Sequence, residues 1–269
     1  MSFSIEGKTA IITGAANGVG LSVARHFAKA GANVMFADRD EKRLKDETHG
    51  QDGEDSNIRY FAGDLRQRLT IANLLSATID AFDRVDILVN CSRQLVTSDP
   101  LDSKSTAMSE MIEQNLMVSL RLSQLVAERM IKQAAEDGRE DSCVGSIINL
   151  SSIAARRANP QLLAYSVSTA ALDQMTRSLA VALAEHRIRV NSLAFGSVLS
   201  ASLKGALKEN EEFRDQILDN TPIGRIAHAR ELAEAAQFLA SDASGFMTGQ
   251  VLTVDGGRTL LDPVCVPAH

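Results

Sequence analysis

Residues 9–20 read Thr9-Ala10-Ile11-Ile12-Thr13-Gly14-Ala15-Ala16-Asn17-Gly18-Val19-Gly20. A β-branched, apolar run enters a turn that carries three glycines, and an amphipathic stretch continues to Ala30. Glycine in such a turn lets backbone approach a pyrophosphate. The new helix presents unpaired N–H groups and the positive end of its dipole. A tight strand-to-helix turn needs the same glycines for steric reasons alone, so the context decides, and here a strand precedes the turn and a helix follows it.

Outward from this stretch, short β-branched runs alternate with longer segments of helical period. Strands are expected at 9–13, 33–37, 58–62, 86–90, 145–150, 188–193 and 251–254. Helices are expected at 18–30, from Glu41, at 69–82, 104–136, 165–186 and 229–240, with helical segments across 201–218. The nearly continuous apolar runs TAIIT, VDILVN and GSIINL fit strands buried on both faces. This alternation predicts an α/β fold: a Rossmann-type, doubly wound parallel sheet of about seven strands with helices on both faces. No repeat or Pro/Gly-rich linker divides residues 1–269, which are read as one domain. Two loops are expected, 137–144 and the stretch after Leu193. Ligands of such sheets bind beyond the carboxyl ends of the strands.

Composition narrows the function classes. The 269 residues carry 28 basic and 34 acidic side chains, net −6, with no clustered Lys/Arg run, so a nucleic-acid surface is not expected. The start MSFSIEGKTA has no basic region followed by an apolar one, and no apolar run is long enough for a membrane span, so a cytoplasmic protein without a membrane partner is expected. Cys91, Cys143 and Cys265 are odd in number and share no ligand spacing, which argues against a disulfide framework or a metal site.

Asp38 closes the second expected strand, 18 residues beyond Gly20. A carboxylate there can accept hydrogen bonds from an adenosine ribose diol and would repel a 2′-phosphate, which favours NAD over NADP. Arg39 follows at once and could soften that preference. Asp38 could instead cap the next helix, a role that Asp40 would fill equally well.

Taken together, TGAANGVG at 13–20, Asp38, Asp64-Leu65, LVN at 88–90, INLSS at 148–152 and YSVST at 165–169 resemble the short-chain dehydrogenase/reductase family. The resemblance spans essentially the whole chain, through Asn191 and Pro222-Ile223-Gly224-Arg225 to Thr248-Gly249-Gln250 and Val254-Asp255-Gly256-Gly257. It is strongest toward 3-oxoacyl reductases and sugar or steroid alcohol dehydrogenases. It implies hydride transfer between NAD(H) and a secondary alcohol or ketone. Tyr165 would be the acid/base, Ser152 would hold the substrate oxygen and Asn115 would organise a water relay. Cofactor contacts implied are Gly14, Asn17, Gly18, Val19, Gly20, Asp38, Asp64, Leu65, Asn90, Ser92, Tyr165, Thr169, Gly196, Val198 and Ser200. A mobile substrate loop is implied near 197–220, and a homotetramer or homodimer through the helices at 104–136 and 165–186.

Three positions depart from the family pattern. Thr169 stands where the family has lysine, four residues after Tyr165 and hence on the same helical face. In relatives that ammonium holds the phenol partly ionised and also binds the nicotinamide ribose. Threonine can hydrogen-bond a ribose but brings no charge. An unperturbed tyrosine titrates near pH ~10, so a phenol without a neighbouring cation stays protonated at neutral pH, and a loss of about 10²- to 10⁴-fold is expected. Asn90-Cys91-Ser92-Arg93 replaces Asn-Asn-Ala-Gly, and Phe195-Gly196 replaces Pro-Gly. Arg93 could clash with the dinucleotide, reach its phosphates, or supply the missing positive charge near Tyr165. Three outcomes follow: an impaired oxidoreductase, a dinucleotide-binding pseudoenzyme with a sensing or assembly role, or a chain in which Arg93 blocks the dinucleotide altogether.

Overall fold

The computed structural model describes residues 2–49, 56–138, 143–210 and 212–262, the side chains at 201, 202, 206 and 209 excepted. Along the chain run β1 (Thr9–Thr13), α1 (Gly18–Lys29), β2 (Asn33–Asp38), α2 (Glu41–Thr48), β3 (Ile58–Ala62), α3 (Arg68–Phe82) and β4 (Ile87–Asn90). Next come α4 (Ala107–Met111), a π-helical turn (Ile112–Met117), α5 (Val118–Glu136), β5 (Gly145–Ser152), α6 (Leu163–Ala184) and β6 (Ile188–Phe195). The chain then forms α7 (Ala201–Glu209), α8 (Glu212–Asp219), α9 (Ala229–Ala240) and β7 (Val251–Val254).

Every strand pair is parallel, in the order β3-β2-β1-β4-β5-β6-β7. Because strand side chains alternate, Ile11 and Ile12 enter opposite layers. Ile12 packs with Val23 and Phe27 of α1 and with Leu232 and Leu239 of α9. Ile11 packs with Leu74 of α3 and with Leu122, Val126 and Met130 of α5. All five residues of β1 are buried, which accounts for its unbroken apolar reading. The strand order reverses between β1 and β4, and this is where such a sheet leaves a crevice.

Two expectations on element limits need correction. β6 does not stop at Leu193 but runs to Phe195, whose backbone stays in register with Ser152 of β5 and Val254 of β7. The long helix begins at Ala107 and is interrupted by the π-helical turn. The helical segments expected across 201–218 are α7 and α8. Residues 139–142 of the expected loop and residues 263–269, with Cys265, lie outside the described residues.

Two glycines of the opening turn have distinct causes. A Cβ on Gly20 would lie 2.2 Å from the Gly14 carbonyl oxygen, because α1 starts hard against the end of β1. Gly18 has φ of +59°, and the nearest atom to a Cβ there would be the Ser200 Cβ, 4.0 Å away. So Gly20 serves packing, and Gly18 serves a backbone conformation that faces open space. Gly20→Ala is expected to lower stability by about 1–3 kcal/mol, the usual cost of overpacking, measured as a fall in the denaturant midpoint. An unchanged midpoint would contradict this contact.

Candidate active site

A cleft of about 570 Å³ opens at the carboxyl ends of the central strands. Twelve of the expected residues line it: Gly14, Asn17, Gly18, Val19, Gly20, Asp38, Asp64, Leu65, Ser92, Gly196, Val198 and Ser200. Gly63, Gln94 and Gln114, which the sequence reading did not select, line it too, as do Arg39, Arg93, Phe195 and Leu203. Gln114 had a usable signal in its position beside Asn115.

At one end, α1 points its N-terminus into the cleft. Asn17 caps that helix by position, yet its side chain makes no cap hydrogen bond. Asp38 takes the amide of Ala16 on Oδ2 and that of Asp40 on Oδ1, each at 3.1 Å. Asp40 caps α2 by accepting from the Arg43 amide, so Asp38 is not that helix's cap. Asp64 is gripped by Arg66, whose hydrogen bond holds its carboxyl below the usual range against the opposing effect of burial. An open glycine backbone, a helix N-terminus and a carboxylate fixed beside them fit the pyrophosphate and adenosine ribose of a dinucleotide.

The other end is built from the loop after β4. The amides of Cys91 and Ser92 both donate to Thr13 Oγ1 at 3.0 Å. Ser92 Oγ accepts from Gln114 Nε2 at 3.1 Å. Asn115, on the π-helical turn, accepts from the Gln94 amide at 2.8 Å and donates to the Gln94 carbonyl at 3.0 Å. Its amide also donates to Ser168 Oγ, which donates to the Tyr165 carbonyl. Asn115 therefore ties this loop to α6. π-Helical turns recur at functional sites, and this one aims Gln114 and Asn115 at the same loop.

Arg93 is consequently held between fixed neighbours. Its Nη1 donates to Tyr165 Oη at 2.5 Å, and its guanidinium carbon lies 4.2 Å from the centroid of the Phe195 ring. Tyr165 is 2% exposed and does not line the cleft. Neither does Thr169, whose hydroxyl donates to the backbone oxygens of Tyr165 and Ser166 at 3.0 and 3.1 Å. Asn90, buried off the cleft, donates to Ser123 Oγ and Asn149 Oδ1. Burial pushes the Cys91 thiol up to about 12, with Arg93 opposing, so this cleft cysteine carries no thiolate at neutral pH.

Ser152 closes β5, and its Oγ accepts from the Ala154 amide at 3.2 Å. That bond uses a lone pair and leaves the serine proton free to be donated. Tyr165 Oη likewise accepts from Arg93 and keeps its own proton. Each hydroxyl therefore retains a proton to donate, the requirement of general acid/base chemistry, and Ser152, like Tyr165, lies outside the lining of the cleft.

Known proteins resemble this chain over nearly its whole length. Residues 14–259 match the family described as "Enoyl-(Acyl carrier protein) reductase". The chain is 34% identical over 256 residues to the 7alpha-hydroxysteroid dehydrogenase of Escherichia coli K12, covering 94% of each protein. A structure of 7 alpha-hydroxysteroid dehydrogenase with NADH and 7-oxo glycochenodeoxycholic acid superposes with a TM-score of 0.86 at 32% identity, covering 95% of this chain and 96% of that one. A gluconate 5-dehydrogenase from Burkholderia cenocepacia J2315, with NADP and tartrate, gives 0.86 at 30% identity, covering 97% and 98%. The seven-stranded parallel sheet, its glycine cradle and these matches show that the chain belongs to the short-chain dehydrogenase/reductase family of NAD(P)-dependent oxidoreductases.

Proposed function

We propose that this protein transfers a hydride between NAD(H) and a secondary alcohol or ketone, with Tyr165 exchanging the proton. The observation that carries the reading is the Tyr165 hydroxyl, held at 2.5 Å by a cation while its own proton stays free for a substrate oxygen. When bound, the nicotinamide ring gives up or accepts the hydride. Ser152 steadies the oxygen that gains charge as the carbonyl is reduced. Asn115 positions both the loop after β4 and α6, and so acts on the tyrosine from behind.

Asp38 selects NAD over NADP. Its two carboxylate oxygens are oriented by the Ala16 and Asp40 amides and retain lone pairs for a ribose diol. Gly14, Asn17, Gly18, Val19 and Gly20 take the pyrophosphate side, Asp64 and Leu65 the adenine side, and Gly196, Val198 and Ser200 the nicotinamide side. Val198 is bridged to Ala227, which anchors the base of a substrate loop at 197–220. Thr169 cannot both keep its two helix acceptors and donate to a ribose, so turnover falls below that of relatives with lysine there. Asn90 and Thr169 support the site from beneath instead of lining it. The same reading includes a homotetramer or homodimer through α5 and α6, supported by exposed Leu163, Val167 and Val181 on α6.

The buried position of Tyr165 favours one rival, a protein that binds the dinucleotide without turning it over. Asp38→Ala is expected to weaken NAD binding about tenfold or more, the weight of a hydrogen bond to a charged group, with a smaller loss for NADP, measured by calorimetry. Tyr165→Phe should cut turnover by about 10²- to 10⁴-fold and leave NAD affinity in place. Tight NAD binding without turnover on any secondary alcohol or ketone would support the rival. An unmoved NAD/NADP preference would remove Asp38 from the ribose.

A further inference from the structure

We propose that Arg93 supplies to the Tyr165 hydroxyl the positive charge that lysine supplies in relatives, reaching it from the end of β4 instead of from one turn along α6. This rests on the reading of Tyr165 as the proton-exchanging group. The family's lysine has two tasks, charge beside the phenol and a donor to the ribose. Arg93 takes the first and leaves the second unfilled.

The three departures from the family pattern form one arrangement in space. Arginine in place of glycine brings a guanidinium to the phenol oxygen at 2.5 Å. Phenylalanine in place of proline lays a ring under that guanidinium at 4.2 Å, and a cation over an aromatic face is held there electrostatically. Threonine in place of lysine removes a second cation that would crowd the same oxygen, and fills its place with a hydroxyl satisfied within the helix. The guanidinium is planar and keeps its charge at any working pH.

Arg93 does not reach Tyr165 from a loose loop. The residues before and after it are tied to Thr13, Gln114 and Asn115. Holding the donor in place before reaction is what makes such a charge effective, because no reorganisation is needed when the phenol changes protonation.

Three other ionisable groups on the neighbouring segments are accounted for. Cys91 is neutral, with its thiol pushed up to about 12. Asp255, which packs against Gly196, is burdened by burial, but the Thr259 and Gly257 donors outweigh that and hold its carboxyl below the usual range. Asp173, two turns along α6, accepts from Ser192 Oγ at 2.9 Å. Among the described residues, Arg93 is the cation hydrogen-bonded to Tyr165 Oη.

The test uses a spectroscopic opening in the composition. The chain has two tyrosines, Tyr60 and Tyr165, and no tryptophan. In a Tyr60→Phe background, tyrosinate absorbance in the near ultraviolet therefore reports Tyr165 without cofactor or substrate. A cation favours the ionised phenol, so removing it must move the titration upward. Arg93→Met in that background is expected to raise the midpoint by at least about one pH unit, a tenfold change in ionisation, whereas Arg93→Lys, which keeps the charge, should raise it by less. With substrate, Arg93→Met should lower turnover at neutral pH by about tenfold or more and move the pH profile the same way. NADH affinity should stay within about threefold. Thr169→Lys added to Arg93→Met should recover both the midpoint and the turnover.

An unmoved midpoint in Arg93→Met would overturn the proposal. So would a gain of about tenfold in NADH affinity or in turnover, since either would make Arg93 an obstacle in the nicotinamide end. If the protein proves unable to turn over any alcohol or ketone, the proposed function fails while the tyrosinate titration still decides whether Arg93 charges the phenol.

Discussion

The hydroxyl of Thr13, at the carboxyl end of β1, accepts the two consecutive amides of Cys91 and Ser92. That pair of bonds fixes the loop after β4 against the glycine turn at the point where the strand order reverses. The Gly14 position, where a Cβ would come within 3.0 Å of Cys91 and Ser92 backbone atoms, leaves no slack between the two segments. With the loop start fixed, Arg93 leaves the backbone beside the cleft at a set place. Asn115 closes the other side through the main chain of Gln94. The position of one guanidinium thus follows from a strand-end threonine, a glycine without room for a side chain, and an asparagine on a π-helical turn.

The two ends of the cleft obey different physics. At the adenosine end the protein offers backbone and one oriented carboxylate, which need close approach and no mobile parts. At the proposed reactive end the phenol of Tyr165 is almost completely buried, with the Arg93 guanidinium hydrogen-bonded to it. A lysine reaching along α6 is one way to bring charge there. A guanidinium stacked on a strand-end aromatic ring is another, and the ring is available because β6 extends to residue 195 with its side chain facing the cleft. Asp38 stays clear of such duties because Asp40 takes the cap of α2.

Much of the fold was legible because buried parallel strands leave continuous apolar runs and the helices between them carry clear periodicity. The end of β6 was misplaced because Phe-Gly reads as a turn, while what keeps Phe195 in the sheet is register with Ser152 and Val254, residues far away in sequence. The π-helical turn left no mark, since one extra residue barely disturbs a helical hydrophobic pattern. In the site, glycine spacing and Asp38 were readable because their chemistry depends on local backbone. Arg93 could be flagged as a departure but not placed, because its partner lies 72 residues away and its position is set by bonds to Thr13 and Asn115. Thr169 was credited with a free hydroxyl, and only the helix geometry shows it turned back on Tyr165 and Ser166.

The central claim is that Arg93 and a nicotinamide ring share the reactive end of this cleft. It is tested most directly by calorimetric titration of the unmodified protein with NADH and, separately, with ADP-ribose, which carries everything in NADH except the nicotinamide ring. The account predicts that NADH binds at least as tightly as ADP-ribose, because the ring is accommodated beside the Arg93 guanidinium. ADP-ribose binding about tenfold tighter than NADH would contradict it, and would mean that Arg93 fills the place of the ring.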